Sequence, residues 1–267
     1  GQNVNAYHGV GPDGGICGLA GLIRRLALIP DLLRIRYTTS HPADMDEALI
    51  EVHGQEAKLM PHLHLPVQSG SDTILAAMNR RHGADDYRRI VDKLRQVRSD
   101  LALTSDFIVG FPGESEPDFQ ATLDLIGEIG FAAAYSFKYS PRPGTPAAAI
   151  VEQVPESVKS ERLARLQALV AGQVRDFNQA CIGRHMPVLF ERRGRHTGQL
   201  VGKSPWLQGV HLSGPEALIG TIGEVSIEAC HTNSLVGRLV DSAGRSPTYD
   251  RAASSASHKA SMERASA

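Results

Sequence analysis

Leu101–Ser115, LALTSDFIVGFPGES, is the stretch on which the fold turns. Phe107, Ile108 and Val109 form a continuous apolar run, as in a strand buried on both faces. Gly110 and Gly113 can take positive φ or let the backbone approach a ligand, and Pro112 stiffens the turn between them. Ser115 is placed to N-cap a helix, with Asp118 at its third position and Pro117 tolerated in its first turn. The stretch reads as one strand-loop-helix unit of a parallel α/β barrel, with glycines and Glu114 at the strand mouth. Such a turn alone is more often plain turn chemistry than a cofactor site, so the neighbouring units decide.

Outward from it, the same pattern repeats. A helix over Ser115–Ile129 leads to a strand over Phe131–Ser140, whose mouth continues Pro141-Arg142-Pro143-Gly144-Thr145-Pro146. Upstream, a helix over Ala84–Val97 follows a strand over His62–Gln68, with Ser71 as N-cap of a helix over Asp72–Met78. Before these come a helix over Leu19–Ile29 closed by Pro30, a strand over Leu33–Thr39 with the mouth Ser40-His41-Pro42, and a helix over Asp44–Val52. GQNVNAYHG (Gly1–Gly9) resembles the mouth of a strand whose body is absent. Four strands are too few to close a barrel, and the chain opens on Gly1 rather than Met. The expectation is therefore a partial barrel from a longer protein.

Glu156–Ala180 forms a long helix with Leu163, Leu166, Val170, Val174 and Phe177 on one stripe. From Met186 the pattern changes to five short strands between glycine-rich turns, a small antiparallel barrel of the kind that often grips nucleic acid. The expected division is 1–181 for the α/β domain, 182–240 for the small barrel, and a disordered Ser/Ala-rich tail over 241–267.

With 267 residues and a formal net charge of −1, the chain is no wholesale polyanion binder. Cys17, Cys181 and Cys230 lie far apart, which argues against a disulfide framework and against a cysteine-held metal site made by this chain alone. No apolar run reaches membrane-spanning length and no signal peptide opens the chain, so a soluble cytoplasmic protein, without membrane partners, is expected.

GQNVNAY, RYTTSHP, LHLPVQSGS with ILAAMNRRH, SDFIVGFPGE and YSPRPGTPA resemble, in this order, the strand-mouth motifs of the methylthiotransferase branch of the radical S-adenosylmethionine (SAM) enzymes. The resemblance spans Gly1 to about Val240 and is most similar to the tRNA-modifying members. It implies a radical SAM barrel followed by a TRAM-like RNA-binding barrel. It also implies an enzyme that uses SAM and two [4Fe–4S] clusters to place a methylthio group on C2 of N6-isopentenyladenosine 37, in the tRNA anticodon stem-loop; a monomer is expected. The family's C-x3-C-x2-C triplet has no counterpart here, so this chain by itself is expected to be inactive.

The resemblance assigns cofactor contacts position by position. Gln2 and Asn3 would meet the methionine amino group, Gln68 and Ser69 the ribose, and Ile108 and Gly110 the adenine. Arg142 would meet the methionine carboxylate or a tRNA phosphate. For each, a turn or capping role is the bland alternative. Between Gly183 and Lys203, Arg184, Arg192, Arg193, Arg195 and Lys203 stand against Glu191 alone. Of these, Arg192, Arg193, Arg195 and Lys203 are expected to contact RNA phosphates, and Trp206 to stack an unpaired base; a solvated basic face is the alternative. His62 and His64, two apart on a strand, suggest the histidine pair of a metal-dependent hydrolase, against two structural histidines. Ser40-His41 lacks the orienting acid of a nucleophile pair. The other rivals are a methylthiotransferase acting on a ribosomal protein aspartate and a non-catalytic RNA-binding module.

Overall fold

The computed structural model describes residues 3–11 and 14–241, which divide into two units. The first is built on Gly1–Cys181 with Pro205–Gln208 and His231–Asn233. The second takes Ile182–Ser204, Gly209–Cys230 and the chain from Ser234. The expected tail lies outside the described residues, apart from Asp241.

The first unit opens with a 3-10 turn, Val4–Ala6, and a hairpin of β1 (His8–Val10) and β2 (Ile16–Gly18). There follow α1 (Leu19–Ala27), α2 (Glu47–Gln55), β3 (His62–His64), α3 (Asp72–Ala77), α4 (Ala84–Val97) and β4 (Ala102–Val109). Then come α5 (Glu116–Ile129), β5 (Ala133–Lys138), α6 (Pro146–Ala149) and α7 (Glu156–Gln179). β3, β4 and β5 form a parallel sheet in that order, with His64 opposite Thr104, Asp106 opposite Tyr135 and Ile108 opposite Phe137. Leu63, Leu103, Phe107 and Val109 are buried from one face in a core with Val52, Tyr87, Leu94, Phe119, Ile126 and Leu166 from the helices. Burial of these side chains is the main stabilising term. The opposite face carries His64, Asp106 and Ile108, with Tyr135 and Phe137 exposed.

Several expected boundaries move for local reasons. The strand expected over Leu33–Thr39 shrinks to one parallel bridge between Ile35 and Leu59. Its partner segment is a turn, which Ile35 meets by accepting from Met60 N and donating to Lys58 O, while the Thr39 carbonyl accepts from Val4 N instead. The strand expected over His62–Gln68 leaves the ladder at His64, because Pro66 has no N–H to donate, and touches again at Gln68 opposite Phe107. α2 begins later than expected because the Asp46 carboxylate caps it, accepting from Leu49 N at 2.7 Å. Within the stretch expected as a strand mouth, Val4–Ala6 form a 3-10 turn and β1 begins at His8.

The opening stretch folds as its residues require. β4 ends at Val109, and Gly110 and Gly113 turn the chain at φ 71° and 82°, angles that a β-carbon would disfavour. Ser115 and Asp118 then form a capping box at the start of α5. Asp118 also accepts from the Ser71 hydroxyl at 2.6 Å, which ties the caps of α3 and α5 together.

In the second unit β6 (His185–Arg193), β7 (Gln199–Lys203), β8 (Gly209–Ser213), β9 (Ile222–His231) and β10 (Ser234–Leu239) close a barrel in the order β10-β8-β7-β6-β9. Val188, Phe190, Leu200, Val210, Leu212, Val225, Ile227 and Leu235 fill it. The barrel is not wholly antiparallel, in contrast to the expectation from sequence: β8 and β10 run parallel, with Leu235 opposite Val210. An odd number of strands in a closed ring cannot alternate in direction throughout, so at least one neighbouring pair must be parallel. Among the described residues no helix is long and apolar enough to cross a membrane.

Candidate functional site

The strand mouths of the first unit gather polar groups whose burial and pairing differ sharply. Asn3 donates from Nδ2 to Asp44 Oδ2 at 2.5 Å, while its Oδ1 is buried with no hydrogen-bond partner among the described residues. Asn5, which no sequence motif singles out, braces the SHP turn from both sides. It donates to the His41 carbonyl and accepts from the His41 amide, each at 2.8 Å. The Ser40 hydroxyl is buried without a partner. His41 meets His82 edge to face, with ring centroids 5.3 Å apart. Burial, followed for His41 by the charge of Arg80 and for His82 by that of His41, lowers the pKa of both imidazoles. A neutral pair is therefore favoured at this mouth.

Gln68 sits at φ 77° and is held through its backbone, donating to Asp106 O and accepting from Ile108 N at 3.0 Å each. Ser69 is buried, with its hydroxyl against Thr122 Oγ1 at 3.2 Å and accepting from Ser71 N. Ile108 is half-buried on β4. The Gly110 amide donates to Glu114 Oε1 at 2.9 Å, and Arg162 of α7 donates to the same oxygen at 2.7 Å. Both members of this ion pair are almost wholly buried. Burial raises the Glu114 pKa, while the Gly110 amide and Arg162 act to lower it. Arg142 is exposed in the loop after β5. Gln2 lies outside the described residues.

His62 is buried and His64 half-buried on β3. The His64 ring lies between Thr104 Oγ1, 3.0 Å from Nδ1, and Asp106 Oδ2, 3.6 Å from Nε2. Among the described residues, no three histidines, cysteines or carboxylates gather where they could hold a metal ion. The hydrolase reading of the histidine pair therefore lacks its further ligands, and no iron–sulfur ligand set is formed among these residues.

In the second unit Arg192 and Arg193 end β6, and Arg195 follows in the turn, which Gln199 holds by accepting from Arg195 N at 3.1 Å. All three arginines are exposed, and Arg193 pairs with Glu216 at 2.5 Å. Lys203 ends β7, half-buried. Trp206 belongs to the segment grouped with the first unit; its Nε1 donates to the Asp100 carbonyl at 2.7 Å and its ring meets Phe177 edge to face. Part of the indole expected to stack a base thus packs within that unit. Lys159 and Arg162, three apart on α7, are buried beside the apolar stripe. Cations at helical spacing next to that stripe are the signal for them in the sequence, where the stripe alone reads as a packing face.

Residues 18–126 match the Radical SAM superfamily and residues 179–240 match the TRAM domain. The tRNA-2-methylthio-N(6)-dimethylallyladenosine synthase of Jannaschia sp. (strain CCS1) is 60% identical over 240 residues, covering 90% of this chain and 52% of that protein. The protein of the same name from Maricaulis maris (strain MCS10) is 57% identical over 246 residues, covering 91% of this chain and 54% of its own length. Among solved structures, the radical SAM enzyme coproporphyrinogen III oxidase from Escherichia coli matches 73% of this chain and 49% of its own, at 11% identity and a TM-score of 0.43. That likeness is too distant to carry weight. The chain spans about half the length of the curated relatives it matches. The chain thus carries a radical SAM region followed by a TRAM region, and over most of its length it is similar to the tRNA-modifying methylthiotransferases among the radical SAM enzymes.

Proposed function

We propose that this chain is the part of a tRNA-modifying enzyme that holds SAM and RNA while a methylthio group is placed on C2 of N6-isopentenyladenosine 37 beside the anticodon. The observation that carries the reading is the 60% identity over 240 residues to a synthase of that modification, through both the radical SAM and TRAM regions. SAM fits the residues present: the buried, unpartnered Oδ1 of Asn3 is an acceptor suited to the methionine ammonium. Gln2 would assist it, Gln68 and Ser69 would face the ribose, Ile108 and Gly110 the adenine, and Arg142 the carboxylate or a phosphate. When bound, SAM supplies the methyl group and the one-electron chemistry of the family. Iron–sulfur clusters do not fit the described residues, which gather no ligand set. Arg192, Arg193, Arg195, Lys203 and Trp206 are the proposed RNA contacts, acting on phosphates and by stacking.

Deleting the gene and measuring the nucleosides of bulk tRNA by mass spectrometry tests the reading. The expected result is loss of the 2-methylthio nucleoside with accumulation of N6-isopentenyladenosine. Unchanged tRNA with loss of a methylthio group from a ribosomal protein aspartate would overturn it in favour of the protein-modifying rival.

A further inference from the structure

Lys159 is 7% exposed, yet its ammonium makes no hydrogen bond or ion pair among the described residues. Its stem crosses Gly110 so closely that a β-carbon there would lie 2.4 Å from Lys159 Cγ. The ammonium stands 5.7 Å from the centre of the Tyr139 ring. The Tyr139 hydroxyl is itself buried with no hydrogen-bond partner among the described residues. The nearby carboxylates hydrogen-bond to other groups, Glu114 to Arg162 and the Gly110 amide and Glu156 to Lys138 at 2.5 Å, and Lys159 acts on Glu156 through its charge alone. An ammonium held against an aromatic face and a neighbouring unmatched hydroxyl, at the ends of two adjacent parallel strands, form a half-built anion site. A buried hydroxyl left without a partner is costly unless a ligand completes it. Arg142, three residues beyond Tyr139, adds an exposed cation on the same loop. Two separate single-point donors suit a tetrahedral oxyanion, whereas a planar carboxylate is better matched by a guanidinium fork.

We propose that Lys159 and Tyr139 form the seat of one phosphate of bound RNA, at the mouth of β4 and β5. The source of the phosphate rests on the tRNA reading above; the seat itself rests on the unmatched Tyr139 hydroxyl and the lysine ammonium beside its ring.

The test is an NMR titration of the whole chain, following the Gly110 amide and the Tyr139 ring protons. The probes are inorganic phosphate, sodium acetate and an unpaired uridine octanucleotide. Phosphate and the oligonucleotide are expected to shift both signals. Tyr139→Phe, which keeps the ring and removes only the hydroxyl, should weaken phosphate binding roughly tenfold. Lys159→Met, which keeps an unbranched stem over Gly110, should weaken it by at least as much. No shift with either phosphate probe, or a response to acetate alone, overturns the proposal. Should Lys159→Met fail to fold, Tyr139→Phe still decides, because unchanged phosphate affinity in that variant also overturns it. If RNA binds the chain without moving Gly110 or Tyr139, the seat fails and the RNA reading stands. If inorganic phosphate moves them but RNA does not bind, the RNA source fails and the seat stands.

Discussion

His53 lies in the core at 1% exposure, with its Nε2 2.6 Å from the Tyr37 hydroxyl and its Nδ1 without a partner. Burial, assisted by the charge of Arg98, pushes its pKa down to about 4. Burial also raises the pKa of Tyr37, so the phenol stays neutral. An unfolded histidine takes a proton near its ordinary value of about 6.5, whereas the folded one resists until about pH 4. The unfolded state therefore binds more protons in that window, and His53 lowers stability as pH falls through it, by up to about 1.4 kcal/mol per pH unit. Urea unfolding between pH 7 and pH 4.5 should show a shallower pH dependence in His53→Gln than in the parent, because the amide can still reach Tyr37 but does not titrate. Parallel curves for the two proteins would refute the assignment.

At the scale of elements, the GFPGE turn and α7 are joined by the Arg162–Glu114 pair, with side chains 5% and 1% exposed. Arg162 also donates to the Glu114 carbonyl at 3.0 Å and lies over the Phe119 ring. The value of such a pair lies less in its formation than in the cost of breaking it. Arg162→Met should destabilise the first unit by about 3–5 kcal/mol at neutral pH, because Glu114 is left charged and buried. Combining it with Glu114→Gln should recover part of that loss, and urea midpoints of the two variants decide. The caps around this turn are legible in the residues themselves: Ser71, Ser115 and Asp118 sit where predicted, because capping depends only on side chains within three or four positions. The buried pair is not legible, because its partners lie 48 residues apart.

Across the whole molecule, the near-zero net charge conceals a local concentration of cations on β6 and the turn after it. Arg193 is already paired with Glu216, whereas Arg192 and Arg195 are exposed and have no ion pair among the described residues. Arg192→Ala with Arg195→Ala should therefore weaken RNA binding more than Arg193→Ala does. Removing one cation that neutralises a phosphate should flatten the dependence of log affinity on log salt by about 0.7 for a single strand. Fluorescence anisotropy with a labelled anticodon-arm RNA between about 50 and 200 mM salt, a range over which phosphate binding weakens strongly, measures both effects. Equal weakening by the two sets of substitutions would remove the distinction.

The amino-acid sequence by itself determined the main helices, the strands β4 and β5, the caps at Ser71 and Ser115, the turn at Gly110 and Gly113, and the change from α/β units to a small barrel. Each of these follows from propensities and spacings within a few residues. Tertiary structure alone decided that Ile35 makes a single bridge, that the five-stranded barrel contains a parallel pair, and that Ser69 is turned inward onto Thr122. It also decided that Asn3, Ser40 and Tyr139 meet the strand mouths with polar atoms that find no hydrogen bond among the described residues. Such facts depend on which distant residues supply or withhold a hydrogen bond, and no local pattern records that.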